Sequence, residues 1–364
     1  MKAAVLLAAG GTGGHMVPAD ALGAELARRG HPVALVTDAR GTRFPGLFEG
    51  VETHVVEAAT LSGNPLRWPG AIARILAGRR AACSVVRQRG ARAVVGFGGY
   101  PALPAILAGR AEGVPTILHE QNAVLGRVNR LMAPRVTVLA LSFPETARVP
   151  VAAQTVTTGN PVRAAVLSAR ARPFDAPSAD APFHVLVVGG SQGARILSAV
   201  VPDALAGLDP PERARLRVVH QARPEDLSAA DARYRQAGIA ADCRPYMADL
   251  PERMAWSHLV IGRSGASTMA ELTAMGRPAI LVPFEAATDD HQAANAKGFQ
   301  DAGAGIVIPE AEFTAPRVRA SVRGFLRSPE ALRAAAAAAH GMGVPDAAQR
   351  LADLVESRIE RAAA

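Results

Sequence analysis

Residues 3–15 read Ala3-Ala4-Val5-Leu6-Leu7-Ala8-Ala9-Gly10-Gly11-Thr12-Gly13-Gly14-His15. An uncharged apolar run breaks directly into a glycine-rich loop. A run of this kind suits a strand buried on both faces, and the glycines suit a sharp turn in which a ligand can come close to main chain. The stretch Pro18–Arg29 then reads as a helix, so the segment predicts strand, loop and helix. Met1-Lys2 and the apolar residues after them imitate a short signal peptide. The run is too short for one, however, and a glycine loop stands where a cleavage site would be, so it is read as the first buried strand.

The same pattern continues along the chain. Pro32–Thr37, Arg92–Gly96, Pro115–His119 and Val136–Ala140 read as further strands, with an apolar helix around Pro104–Ala111. Residues 168–182, rich in proline, alanine and charge, read as a linker. After them the opening pattern repeats: His184–Val188 as a strand, the loop Gly189-Gly190-Ser191-Gln192-Gly193-Ala194-Arg195, and a helix. Arg217–Gln221, Leu259–Ile261, Ala279–Val282 and Gly305–Ile308 read as later strands. The expectation is an α/β protein of two Rossmann-like, doubly wound parallel-sheet domains facing a cleft. The first covers 1–165 and the second 183–340. The tail, 341–364, carries Leu351, Leu354, Val355 and Ile359 at amphipathic spacing and is expected to dock back on the first domain.

Composition narrows the function classes. The chain has 364 residues, enough for two domains, and 49% of them are hydrophobic, which excludes global disorder. Cys83 and Cys243 are the only cysteines, so a disulfide scaffold is excluded and a reducing compartment fits. No run of 18 apolar residues predicts a transmembrane helix. The net charge of +8 asks for an anionic partner. Yet Lys2 and Lys297 are the only lysines among 40 basic residues, so the arginine excess is equally well read as codon bias. No basic stripe interleaved with aromatics appears, which disfavours nucleic acid.

Seven loops carry polar or glycine-rich patterns, all but the one near the end of the first half after expected strands. Gly10–Gly14 leads into a helix whose first N–H groups favour an anion, and His15 at its end is a candidate base. This loop does not fit the dinucleotide fingerprint, which disfavours an oxidoreductase. Gly96–Pro101 and His119-Glu120-Gln121-Asn122 lie at the carboxyl ends of expected strands, where open α/β sheets bind ligands. Arg163, in Gly159-Asn160-Pro161-Val162-Arg163, is suited to a phosphate or carboxylate. The loop Gly189–Arg195 repeats the anion cradle. In Arg263–Leu272, the backbone of Ala266–Thr268 suits a diphosphate and Glu271 a ribose diol; a Thr268–Glu271 capping box is the competing reading. Asp289-Asp290-His291-Gln292 invites a metal, but no second cluster supplies more ligands, so sugar recognition is preferred. Packing turns remain the alternative at each glycine loop.

Taken in order, Gly10 to Asn295, these motifs resemble the MurG-type family of bacterial peptidoglycan glycosyltransferases. The resemblance covers nearly the whole chain. It implies the GT-B fold, with UDP-N-acetylglucosamine as donor and lipid-linked N-acetylmuramoyl-pentapeptide as acceptor. The transfer would be inverting, with no bound metal and no cofactor. Donor contacts carried over by motif are Thr12, Gly13, Gly14, Asn122, Arg163, Ser191, Met247, Ala266, Ser267, Thr268, Met269, Ala270, Glu271 and Gln292. Acceptor contacts are Gly98, Gly99 and Tyr100, with His15 as first and Glu120 as second candidate for catalysis. The family pattern has a hydroxyl residue where this chain has Ala102. A membrane-anchored acceptor implies a peripheral enzyme at the cytoplasmic face of the cell membrane. Residues 64–80, with Leu66, Trp68, Ile72, Ile75, Leu76 and four arginines, read as an interfacial segment or as an ordinary core helix. The alternative function is another GT-B UDP-sugar transferase or a UDP-sugar epimerase with a soluble substrate.

Overall fold

The computed structural model describes residues 2–44, 46–60, 68–190 and 193–363. The chain divides into two compact units, Met1–Arg163 with Pro345–Ala364, and Ala164–Val344. The first unit contains β1 (Ala4–Ala8), α1 (Gly13–Arg28), β2 (Val33–Thr37), β3 (Glu52–Val55), α2 (Trp68–Arg89) and β4 (Ala91–Gly96). It continues with α3 (Gly99–Ala111), β5 (Thr116–Glu120), α4 (Arg127–Met132), β6 (Val138–Leu141) and β7 (Thr155–Thr157). The second unit starts with α5 (Ala164–Arg170), β8 (Phe183–Val188), α6 (Arg195–Ala206), α7 (Pro210–Arg215), β9 (Leu216–Gln221), α8 (Pro224–Gln236) and β10 (Ala240–Arg244). Then come α9 (Leu250–Trp256), β11 (Leu259–Gly262), α10 (Ala266–Met275), β12 (Ala279–Leu281), α11 (His291–Asp301), β13 (Gly305–Val307), α12 (Ala315–Arg327) and α13 (Pro329–Gly341). The last helix, α14 (Ala347–Ala363), belongs to the first unit.

Both sheets are parallel. Their strand orders are β3-β2-β1-β4-β5-β6-β7 and β10-β9-β8-β11-β12-β13. Each order reverses beside the first strand of its unit, between β1 and β4 and between β8 and β11. Those are the points at which a doubly wound sheet opens a crevice for ligands. The central strands are apolar on both faces because helices cover both sides. The edge strands β3 (Glu-Thr-His-Val) and β7 (Thr-Val-Thr) are polar and largely exposed, β10 (Ala-Ala-Asp-Cys-Arg) is half-buried with exposed ends, and the fourth edge strand, β13 (Gly-Ile-Val), is apolar and half-buried. Apolar patterning predicts β13 but not the other three, which carry no continuous apolar run.

The stretch expected as a linker, 168–182, begins inside α5 and is tied to the second unit. Arg215 donates to the carbonyls of Ala181 (2.9 Å) and Ser178 (3.0 Å). The buried Arg277 donates to the Arg172 carbonyl at 3.4 Å and lies over the Phe174 ring. A proline- and alanine-rich composition marks absent regular structure; it does not mark absent contacts.

Helix α14 returns to the first unit and buries Leu351, Ala352, Leu354 and Val355 in the core formed by β1 and α1. Each large side chain so buried contributes about 1.5–3 kcal/mol. A charged seam lies beside this contact. Glu356 meets Arg29 at 2.6 Å, His31 at 2.8 Å and Lys2 at 3.2 Å, while Arg29 also meets Asp353 and Glu25. The hydrogen bond from His31 does most to hold the Glu356 carboxyl down to about 2; burial opposes it, and Arg29 and Lys2 assist. A depressed carboxyl stabilises the fold above its unfolded value near 4.5, and that contribution disappears as pH falls through about 2. Glu356→Gln should therefore cost about 2 kcal/mol at pH 7. Denaturant titrations should show the gap from wild type shrinking between pH 5 and pH 3.

Candidate functional site

In the first unit the loops after β1, β2 and β4 converge. A Cβ on Gly10 would lie 2.7 Å from Pro101 Cβ and 2.8 Å from Asp38 Oδ1, so only glycine fits there. Helix α1 starts at Gly13 with Thr12 as its N-cap, no side-chain capping bond and no acid in its first turn. Its positive end is therefore not neutralised from within. His15 Nδ1 lies 3.2 Å from the Gly10 carbonyl. A carbonyl only accepts, so Nδ1 carries the hydrogen and Nε2 becomes the basic nitrogen. Gly98 and Gly99 both have positive φ, 83° and 70°. A Cβ on Gly99 would come within 3.2 Å of His15 Cε1, so the two glycine loops share a border. Tyr100 is half-buried in the first turn of α3. Ala102 is fully buried in the core, so the family's hydroxyl position faces packing in this chain and offers no surface to an acceptor.

The loop after β5 joins this cluster. Glu120 is buried, and its carboxylate accepts four hydrogen bonds. Oε1 takes the Asn122 N–H (3.0 Å) and Nδ2 (3.2 Å), and Oε2 takes the Gly126 N–H (2.9 Å) and Asn129 Nδ2 (2.9 Å). These contacts suit a residue that shapes the loop and orients Asn122 more than one that takes a proton from a substrate. Asn129 in turn lies 3.1 Å from where a Gly98 Cβ would stand, which links this loop to the one before α3. Arg163 ends the unit. Its charge reaches Asp20 of α1, whose carboxyl is raised mainly by burial and is lowered by the Phe48 N–H and by Arg163.

In the second unit the corresponding loops follow β8 and β11. Gly189 has no room for a side chain: its Cβ would stand 2.3 Å from the Ala194 nitrogen. Ser191 and Gln192 lie outside the described residues. Helix α10 starts at Ala266 behind Gly265, again with no side-chain cap and no acid in its first turn. Thr268 is thus its third residue, so the Thr268–Glu271 capping box does not form. Ser267 Oγ is buried without a hydrogen-bond partner, and Glu271 is buried one turn further along. Met269 is buried, and Ala270 is half-buried. Ser264 Oγ donates to the Gln292 carbonyl (2.8 Å), Asn295 Nδ2 donates to the Ser264 carbonyl (3.1 Å), and Gln292 Oε1 takes the Phe284 N–H (3.0 Å). The sixth and seventh motifs are therefore one assembly. Arg263 braces it, donating to Glu310 (2.8 Å) and to the carbonyls of Val282 and Pro283 (both 3.2 Å). Its position directly after a strand is a signal for this role; Glu310 gives no local signal. Met247 is buried in the turn after β10, beside the exposed Tyr246. Asp289 and Asp290 sit in left-handed conformations. Among the described residues no cluster of three or more His, Cys, Asp or Glu forms a metal site.

Two family models match the chain: the glycosyltransferase family 28 N-terminal domain over residues 5–140 and the family 28 C-terminal domain over 184–351. A relative from Erythrobacter litoralis is 51% identical over 97% of this chain and 89% of its own length. It is named UDP-N-acetylglucosamine--N-acetylmuramyl-(pentapeptide) pyrophosphoryl-undecaprenol N-acetylglucosamine transferase. The chain belongs to the MurG-type branch of glycosyltransferase family 28. The crystal structure of Acinetobacter baumannii MurG is similar at TM-score 0.77 and 30% identity, covering 98% of this chain and all of that one. A UDP-N-acetylglucosamine 2-epimerase structure from Listeria monocytogenes reaches TM-score 0.70 at 15% identity, covering 99% of this chain and 98% of its own. That likeness shows the shared GT-B fold alone.

The MurG-type chain also presents an unusual face on α2. Trp68, Ile72 and Leu76, four residues apart, are 44–45% exposed. Arg74 and Arg80 are exposed beside them and Arg79 is half-buried. Ile75, expected on this face, is buried with Ala71 and Ala82 in the core, and residues 64–67, including Leu66, lie outside the described residues. No described helix is long and apolar enough to cross a membrane.

The four-donor cage predicts the result of Glu120→Gln. The amide would turn an N–H₂ toward donors at one end of the cage, and stability should fall by about 2–3 kcal/mol in denaturant titrations. A catalytically weakened variant with wild-type stability would reverse this reading in favour of proton transfer.

Proposed function

We propose that this chain transfers N-acetylglucosamine from UDP-N-acetylglucosamine to the 4-hydroxyl of undecaprenyl-diphosphate-linked N-acetylmuramoyl-pentapeptide, with inversion, in peptidoglycan synthesis. The observation that carries the reading is the 51% identity to the Erythrobacter litoralis transferase of that name over nearly the full chain. The intact glycine loops and uncapped helix starts support it.

The acceptor hydroxyl attacks the anomeric carbon as the bond to UDP breaks. The hydroxyl proton passes to His15 Nε2, the nitrogen left basic by the Gly10 contact. Negative charge grows on the departing diphosphate. The N–H groups of Ala266–Thr268 at the start of α10, together with Arg163, stabilise that charge, so the charge balance needs no metal. Glu271 accepts from the ribose diol, and the main chain at Met247 meets the uracil. Ser191, Met269, Ala270 and Gln292 complete the donor contacts from the second unit, and Thr12, Gly13, Gly14 and Asn122 those from the first. Gly98, Gly99 and Tyr100 receive the acceptor. The stripe Trp68, Ile72 and Leu76 with its arginines suits an anionic membrane surface. That contact would hold the enzyme at the cytoplasmic face, where the lipid-linked acceptor is reached.

Labelled N-acetylglucosamine should pass from UDP to the lipid-linked acceptor in the presence of EDTA; transfer only to soluble acceptors would favour another GT-B activity. His15→Ala should lower kcat by about 10²–10⁴-fold with KM for the donor little changed. Near-normal turnover at saturation would reduce His15 to a loop-ordering residue. Ile72→Glu with Leu76→Glu should abolish binding to anionic liposomes and leave the thermal midpoint nearly unchanged, because both side chains are exposed.

A further inference from the structure

His119 touches none of the proposed substrate groups, yet it is fully buried at the end of β5, with its ring 5.4 Å from that of Phe97. Both ring nitrogens are engaged. Nε2 lies 3.0 Å from the Gly159 carbonyl, and Nδ1 lies 3.0 Å from Gln121 Nε2. The same Gln121 nitrogen donates to the His119 carbonyl at 3.1 Å, which sets the orientation of that amide. The carbonyl requires a hydrogen on Nε2, and the amide N–H₂ requires a lone pair on Nδ1. The ring is therefore a neutral imidazole in one tautomer. Burial agrees with this, pulling its pKa down to about 4 against the raising effect of the Gly159 contact.

The two contacts lead to different segments. Through Gln121 the ring meets the turn in which Glu120 holds Asn122. Through Gly159 it meets the segment that ends at Arg163. Gly159 has φ 80°, and its N–H and that of Thr158 both donate to the Leu141 carbonyl (3.2 and 2.9 Å). The His119 hydrogen bond, with the Thr158 hydroxyl donating to the same oxygen at 3.1 Å, thus fixes the direction of a glycine carbonyl at which the chain leaves β7, four residues before Arg163; His119 is the partner that comes from another strand. The next residue, Asn160, is buried and has neither side-chain polar atom hydrogen-bonded, so its own amide does not brace the turn.

We propose that His119 is a positioning residue that sets Arg163 for the donor diphosphate by holding the Gly159 carbonyl. The proposal rests on the reading of Arg163 given above. His119 acts as a donor of fixed geometry and transfers no proton.

The test is calorimetric binding of UDP, with kcat and donor KM measured alongside. His119→Phe keeps an aromatic ring beside Phe97 and removes the donor. It should weaken UDP binding about tenfold, the loss of one hydrogen bond's orienting effect. Donor KM should rise in parallel and kcat should fall as well, because Arg163 meets both the bound diphosphate and the charge that grows on it as it leaves. His119→Gln, whose amide nitrogen reaches the Nε2 position, should restore binding to within about threefold of wild type, whereas the shorter His119→Asn should not. The Gln and Asn pair decides the matter if the Phe variant fails to fold. In an Arg163→Ala background, His119→Phe should cause almost no further loss, since the two act in series. An undiminished loss in that background, or Asn binding as well as Gln, overturns the proposal. Arg163→Ala alone tests the diphosphate reading, because wild-type UDP binding by that variant would reject it whatever His119 does.

Discussion

Crowding at the carboxyl ends of β1 and β8, by side chains at Gly10 and by main chain at Gly189, is the constraint on which the rest of the molecule depends. At Gly10 a methyl group would strike Pro101 and Asp38, and at Gly189 it would strike the Ala194 nitrogen. Without side chains, the turns after these strands close tightly and three loops of the first unit meet at one place. Parallel strands with helical crossovers bring those loops to the same edge of each sheet. Helix α1, which follows β1, and helix α10, which follows β11, both start uncapped and without an acid in the first turn. The backbone thus presents positive helix ends suited to an anion before any charged side chain is added.

Buried polar groups hold these loops in shape. The Glu120 carboxylate with its four donors and the neutral His119 ring are placed where unpaired groups would be costly, so each fixes its neighbours. Arg263 does the same in the second unit through Glu310 and two carbonyls. Such groups leave the neighbouring loop residues with less to organise for themselves. The cost is sensitivity, because one missing partner disturbs a whole loop.

The central strands and the glycine loops were legible in sequence because continuous apolar runs and glycines are local signals. The strands β3, β7 and β10 were not, since they carry no continuous apolar run and join their sheets mainly through backbone pairing. The apolar residues at 66–76 were legible as a helix face only approximately. Ile75 and Leu76 are neighbours about 100° apart on a helix, and only the position of the core assigns one inward and the other outward. The competing reading of Thr268 and Glu271 failed for a similar reason. Their spacing fits a cap, but the helix starts two residues before Thr268, behind Gly265.

Sequence by itself determined the two-sheet α/β architecture, the order of the ligand loops and the family, because these rest on periodicity, glycine placement and motif order. Tertiary structure alone decided which polar residues act on one another. His119 reaches Gly159 across 40 positions, Arg263 reaches Glu310 across 47, and Glu356 reaches His31 across 325. No local pattern encodes such pairs, since a hydrogen bond depends on distance in space and the fold brings its partners together only after the sheets have formed.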